Sequence, residues 1–278
     1  MSEPRAVEHA APESYAEDWR RQAARRGDAM AGATDLMLDI AGVVDGMRVL
    51  DLGAGLGDQS IRAAHRVGPS GSVLATDRDP AMLEGAREAA AKAGLTNVET
   101  RVMDAQAIDV EPGSFDAVIT RMVLMLLREP AKALAGAHRV LKAGGRLGAM
   151  VFASDERNAF LSVPLELARR AGGLPAPDPG EPGIFALGAP GAAEELLRAA
   201  GFRDVRGRAA VMPLRPASID AAMAFLRESA PVVVMHMRRL DEAQQQRVWR
   251  DINEWLAARA GPAGLNLDGE CLVVAGVR

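Results

Sequence analysis

Residues 49–58 read Val49-Leu50-Asp51-Leu52-Gly53-Ala54-Gly55-Leu56-Gly57-Asp58. A short apolar strand, about 48–52, enters this stretch, and a helix over about 58–67, closed by Gly68, leaves it. Glycines at such a junction let the backbone turn sharply and approach a ligand closely. Downstream the same rhythm repeats. A second strand is predicted over 72–76, and Asp79-Pro80 supplies an N-cap and a first-turn proline for a helix running to Gly94. Strands follow near 98–103 and 115–120. Pro130 opens a helix with Leu134, Ala137 and Leu141 on one face; Gly144-Gly145 is expected to end it before a fifth strand over 146–152. Strands and helices alternating through short glycine-marked turns predict a parallel sheet covered on both faces.

Beyond residue 152 the rhythm changes. Residues 159–171 read as a helix that Pro164 is expected to kink or split. Residues 172–191 form a Pro/Gly loop long enough for a lid or a mobile connector. A helix over 192–200 and a strand over 203–214 restore the sheet pattern, and 218–260 read as helices. There Asp241 and Gln244 have capping-box spacing, and Val248, Ile252, Trp255 and Leu256 make one apolar stripe. A last strand is predicted over 270–277.

Composition narrows the class. A length of 278 residues suits one large domain or two small ones, and 49% hydrophobic with 25% charged residues excludes a disordered or collagenous chain. The single cysteine, Cys271, excludes an internal disulfide framework and a cysteine-cluster metal site, and no His/Cys/Glu spacing suggests zinc, so no metal is expected. A net charge of -4 disfavours a nucleic-acid partner held by bulk charge. No run reaches the roughly 18 apolar residues of a membrane span. The first residues carry charge and proline where a signal peptide needs an apolar core, so a cytoplasmic location is expected.

The ligand class follows from two acids. Asp77 ends the second strand about 20 residues past the loop, where a doubly wound sheet sets a carboxylate against ribose hydroxyls. A nucleoside-containing cofactor is therefore expected at the C-terminal edge of the sheet. The dinucleotide fingerprint asks for a third glycine where this chain has Asp58, an acid close to the N–H donors a pyrophosphate would need. That disfavours an NAD(P)-dependent oxidoreductase. S-adenosyl-L-methionine, with an adenosine, a charged amino-acid tail and no phosphate, fits better.

The ordered set VLDLGAGLGD, VLATD, RVMDA, SFDAVITR and VLKAGGRL resembles the motifs of class I S-adenosylmethionine-dependent methyltransferases. The nearest flavour is the small-molecule branch similar to ubiquinone/menaquinone-biosynthesis (methyltransferase type 11) enzymes. The resemblance covers about residues 45–152. It implies an α/β, Rossmann-like, doubly wound seven-stranded and mostly parallel sheet with an added helical cap. Residues 1–278 would then be one domain: an N-terminal helical lid (1–44), a cofactor-binding core (45–152), and a substrate cap with sheet completion (153–278).

The resemblance also implies roles. Gly53, Gly55 and Gly57 line the methionine end of the cofactor, and Asp51 helps hold its ammonium, directly or through water. Asp77 takes the ribose hydroxyls, Arg78 and Met82 flank the adenine, and Asp104 with the Ala105 backbone reads the adenine edge. Arg121 either faces the region between cofactor and substrate or makes a structural ion pair. Tyr15 and Trp19, in SYAEDW, look like the N-terminal aromatic element that closes over the cofactor in related enzymes.

An O-methylation can use a general base near neutral pH. Among the histidines, His9 is expected in a tail and His65 and His138 on helices flanking the sheet; His236, in PVVVMHM, is the candidate base, weighed against a packed histidine. Met122, Met125, Met223, Met235 and Met237 either line an adaptable apolar pocket or belong to ordinary core. The sequence after the fourth strand, TRMVLM, lacks the Asn/Asp-Pro-Pro-aromatic motif of nucleic-acid and protein amine methyltransferases. The expected function is methyl transfer to a small, mainly apolar acceptor, by O- or C-methylation of a phenol, quinol or polyketide-like metabolite. A homodimer is left open. The alternatives are a non-methylating enzyme or a cofactor-binding protein on the same fold.

Overall fold

The computed structural model describes residues 23–278 except 179 and 263. A first helix, α1 (Ala23–Ile40), precedes the alternating part: β1 (Arg48–Leu52), α2 (Asp58–Val67), β2 (Ser72–Asp77), α3 (Pro80–Lys92), β3 (Val98–Val102), β4 (Phe115–Arg121), α4 (Pro130–Val140) and β5 (Leu141–Phe152). Then come α5 (Ala159–Ala171), α6 (Ala192–Ala199), β6 (Arg203–Met212), α7 (Ile219–Ser229), α8 (Pro231–Met237), α9 (Glu242–Ala257) and β7 (Gly269–Val277). The strands form one seven-stranded sheet in the order β3-β2-β1-β4-β5-β7-β6. All pairings are parallel except those of β7, which runs antiparallel to β5 and β6. This is the mostly parallel architecture that the sequence motifs implied.

Burial on both faces explains the continuous apolar strands. Leu50 and Leu52 of β1 join Phe115, Leu134 and Leu141 in the core under α4 and α6, while Val49 faces the other way to meet Met37, Leu38 and Val67. Residues 23–40, within the segment read as a lid, thus cover the sheet as α1, with Met37 and Leu38 fully buried. A third core unites α5 with α7, α8 and α9 through Phe160, Leu226, Val233, Val248, Ile252 and Leu256; this is the helical cap. The expected caps form: Asp79 accepts from Ala81 N at 2.8 Å, and Asp241 and Gln244 complete a capping box at 2.7 and 2.9 Å.

Two local expectations change. Helix α4 stops at Val140, not at the glycine pair, because Leu141 turns extended, is fully buried and pairs with Phe115. Gly144-Gly145 instead sits inside β5 where the register shifts: Leu141 opposes Phe115, but Arg146 opposes Ala117. Helix α5 runs unsplit past Pro164, which is buried inside it.

Strand order reverses between β1 and β4, so the C-terminal ends of β1, β2 and β4 lie together at the crevice where open α/β sheets bind ligands.

Candidate active site

The loop after β1 is built from three left-handed glycines, Gly53 (φ 71°), Gly55 (φ 55°) and Gly57 (φ 83°). Gly53 lies directly on Val123, in the turn that follows β4; a methyl group there would collide with the valine side chain. At Gly57 a Cβ would come 2.9 Å from the Ala86 Cβ, so the glycine also lets α3 approach the loop. The loop is fastened to the sheet by Ala54 N donating to Thr76 O at 2.8 Å.

Asp51 lies beneath the loop, fully buried. Its carboxylate accepts from Gln59 Nε2 at 3.0 Å and from the Ser60 hydroxyl. Burial pushes its pKa up to about 7, against the pull of those two hydrogen bonds and of the nearby Arg121 charge. Asp51 is therefore close to half-ionised at neutral pH.

Asp77 holds the loop from the side. One carboxylate oxygen accepts from Gly55 N at 3.0 Å, and the other accepts from Asp79 N at 3.0 Å. Met103 N donates to Asp77 O at 2.9 Å, which brings the β3 exit, with Asp104 and Ala105, next to the β2 exit. Asp104 is exposed and accepts from Gln106 N at 2.8 Å. Met82 is buried on α3 and Arg78 is exposed at its start.

Arg121 is committed to protein partners. Its guanidinium donates to Thr34 Oγ1 of α1 at 3.0 Å and pairs with Asp58 Oδ1 at the start of α2. It ties α1 to the helix that leaves the glycine loop. The second oxygen of Asp58, Oδ2, is buried and has no partner among the described residues; it lies under α1, where a Cβ on Gly27 would be 3.6 Å away. An unsatisfied buried acceptor of this kind costs about 1–3 kcal/mol, and a cationic donor would relieve it. The sequence marked Asp58 only as the acid that argues against a pyrophosphate; its unpaired oxygen is visible only in three dimensions.

Met122 follows Arg121 with φ 60°, unusual for a side-chain-bearing residue, and its N–H donates to Met150 O at 2.7 Å. Of the methionines considered, Met125, Met223 and Met237 are buried in cores, while Met122 and Met235 are half-buried. His236 is half-buried on α8, and its Nδ1 donates to Val232 O at 2.8 Å. That bond belongs to its own helix and does not join it to the glycine loop. His65 is exposed, and His138 meets Phe202 edge-on at 5.2 Å. Tyr15 and Trp19 lie outside the described residues.

One edge thus gathers Asp51, Gly53, Gly55, Gly57, Asp77, Asp104, Ala105 and Arg121. Among the described residues, no group of three or more His, Cys, Asp or Glu side chains could hold a metal ion, and no helix is long and apolar enough to cross a membrane.

A methyltransferase-domain family model matches residues 44–158. Nocamycin O-methyltransferase of Saccharothrix syringae is 33% identical over 199 residues, covering 68% of this chain and 71% of that protein. A ubiquinone/menaquinone biosynthesis C-methyltransferase of Cronobacter sakazakii is 33% identical over 148 residues, covering 51% of this chain and 59% of its own length. For several other curated relatives the match spans half of their length or less, from 27% to 50%. Among solved structures, the YcgJ protein of Bacillus subtilis superimposes with a TM-score of 0.59 over 89% of this chain and 98% of that one, at 18% identity, which shows a shared fold.

Proposed function

This chain belongs to the class I S-adenosylmethionine-dependent methyltransferases, and we propose that it methylates a small, mainly apolar acceptor. The acceptor class is a phenol, quinol or polyketide-like metabolite, methylated on oxygen or carbon. The two relatives named above span both choices, one being named for O- and the other for C-methylation. The reading includes a cytoplasmic location and no nucleic-acid partner, and it is compatible with a homodimer.

The observation that supports it most is a glycine loop with a carboxylate at each end: Asp77 on the Gly55 amide, and Asp58 with an oxygen awaiting a donor. Together they suit a ligand with hydroxyls at one end and a cation at the other. In this reading Gly53, Gly55 and Gly57 line the methionine end, and the Asp58 Oδ2 and Asp51 carboxylates hold its ammonium. Asp77 takes the ribose hydroxyls, Arg78 and Met82 flank the adenine, and Asp104 with the Ala105 backbone takes its edge. Arg121 positions Asp58, Tyr15 and Trp19 close over the site, and His236 is the general base. S-adenosylmethionine, when bound, supplies a methyl group made electrophilic by its sulfonium. The protein then has to align the acceptor in line with that group and keep water out.

Two consequences are measurable. Asp77→Ala removes the ribose acceptor and strips the Gly55 amide of its partner, so cofactor affinity falls by about 1–3 kcal/mol in calorimetry; wild-type affinity would remove Asp77 from the site. Asp51 gives a pH dependence. Only its ionised form pairs well with an ammonium, so binding releases a proton. Affinity therefore rises by up to about tenfold per pH unit below 7 and levels off above it. In the free protein the sign is opposite. The unfolded chain ionises at the ordinary carboxylate value of 3.8, while the folded one resists until about 7, so folding stability falls across that window and is flat beyond it. Asp51→Asn abolishes both trends; if titrations across the window show the same slopes in this variant, another group is responsible.

The reaction itself is tested by S-adenosylhomocysteine release across a panel of phenols, quinols and polyketides. Release with methylated product supports the reading. Product without release indicates a non-methylating enzyme, and no turnover with any acceptor contradicts the assigned class of acceptor.

A further inference from the structure

We infer that Phe185 is a specificity-determining residue, which limits the size of a flat, aromatic or quinoid acceptor held against Met122 and Phe152. The inference rests on the methyl-transfer reading for what happens at this place, and on the following geometry for the place itself.

The Pro/Gly loop of residues 172–191 is docked in its second half. Gly183 N donates to Met125 O at 2.9 Å, in the turn that leaves β4. Gly188 is buried against the residue that follows β5: a Cβ there would stand 2.6 Å from Ala153 O. Between these two anchors the chain makes consecutive turns, with Ala186 N on Gly183 O at 3.1 Å and Gly188 N on Phe185 O at 3.0 Å. Residues 183–188 therefore form a strap from the end of β4 to the end of β5, across the C-terminal edge of the sheet.

Phe185 is the ring of this strap. It meets Phe152, the last residue of β5, with centroids 6.1 Å apart and planes at 65°. Phe152 and Met122 each pack against both sheet-face cores, which fixes them at the rim between the two faces. The rim adjoins the cofactor loop, because Gly53 rests on Val123 in the same turn that carries Met125. A continuous path of contacts thus runs from the glycine loop to Val123, Met125, Gly183 and Phe185.

The chemistry of this rim is apolar and aromatic. In a chain with six phenylalanines, Phe115 and Phe202 are buried in the sheet core and Phe160 pairs with Phe225 in the cap. The pair at the rim is the one set beside the glycine loop, and both of its rings are half-buried. The guanidinium of Arg121, at the end of β4, is already engaged by Asp58 and Thr34. Two aromatic rings and a thioether favour a planar conjugated ligand over an aliphatic or charged one. Phe185 is carried on a strap held by its backbone, so truncating the ring enlarges the space without unseating the sheet.

The test measures affinities of phenol, 1-naphthol and 9-phenanthrol by calorimetry on protein saturated with S-adenosylhomocysteine. Phe185→Ala is expected to raise affinity for 9-phenanthrol relative to phenol at least about tenfold, with Phe185→Leu in between, a size appropriate to one added ring's worth of apolar room. Affinity for S-adenosylhomocysteine stays within about twofold of wild type in both variants, as expected where no backbone anchor is touched. An unchanged ratio in both variants overturns the inference, and so does failure of every probe to bind. A shifted binding ratio without S-adenosylhomocysteine release from any acceptor supports the wall and contradicts only the methyl-transfer reading.

Discussion

Gly53→Ala lowers affinity for S-adenosylhomocysteine by about 30-fold or more while the sheet stays folded. Two costs add. The backbone at Gly53 is left-handed, φ 71°, which costs a side-chain-bearing residue about 1–2 kcal/mol. The new methyl also points into Val123, an overpacking cost of about 1–3 kcal/mol. The turn that carries Val123 has little room to retreat, because Leu124 and Met125, which follow it, are each 2% exposed. The loop has to move instead, and in the proposed function the loop cradles the cofactor. With tenfold for each roughly 1.4 kcal/mol, the sum of the two costs gives the stated loss. Gly94→Ala separates the causes. Gly94 has φ 70° but no atom within 4 Å of its would-be Cβ, so that variant loses stability and keeps affinity. Val123→Ala in the Gly53→Ala background restores part of the binding. Wild-type affinity in Gly53→Ala would place the cofactor elsewhere.

In the proposed role of general base, His236 gives the second large effect: His236→Ala then lowers turnover about 100-fold with cofactor affinity unchanged. A carbonyl only accepts, so the bond from His236 Nδ1 to Val232 O fixes the proton on Nδ1 and leaves Nε2 with its lone pair. The ring is thus held in the tautomer that can take a proton. A rate close to wild type would remove His236 and leave alignment alone to account for the reaction.

The fold was legible because its signals are local. The turn glycines, the Asp79-Pro80 cap and the Asp241/Gln244 capping box each act within a few residues, and all are found. The α4–β5 boundary was misplaced because Gly144-Gly145 resembles a helix stop, whereas tertiary pairing of Leu141 with Phe115 ends the helix earlier. Near the loop, Asp77 drew attention by its place at the end of β2, and Asp51 only through the family resemblance. The partners of Arg121 were not readable: Asp58 lies 63 residues away in sequence and Thr34 87. Nor was the meeting of Phe152 with Phe185, since nothing local in a Pro/Gly loop says which of its side chains returns to the sheet.

In the proposed function this glycine loop binds S-adenosylmethionine and not a dinucleotide. A calorimetric titration with S-adenosylhomocysteine, set beside a nicotinamide-fluorescence titration with NADH and NADPH, tests it most directly. The expected result is one S-adenosylhomocysteine bound per chain, more weakly in Gly53→Ala, and no change in nicotinamide fluorescence. Absence of S-adenosylhomocysteine binding to the wild-type protein, or a saturable nicotinamide signal, would contradict it.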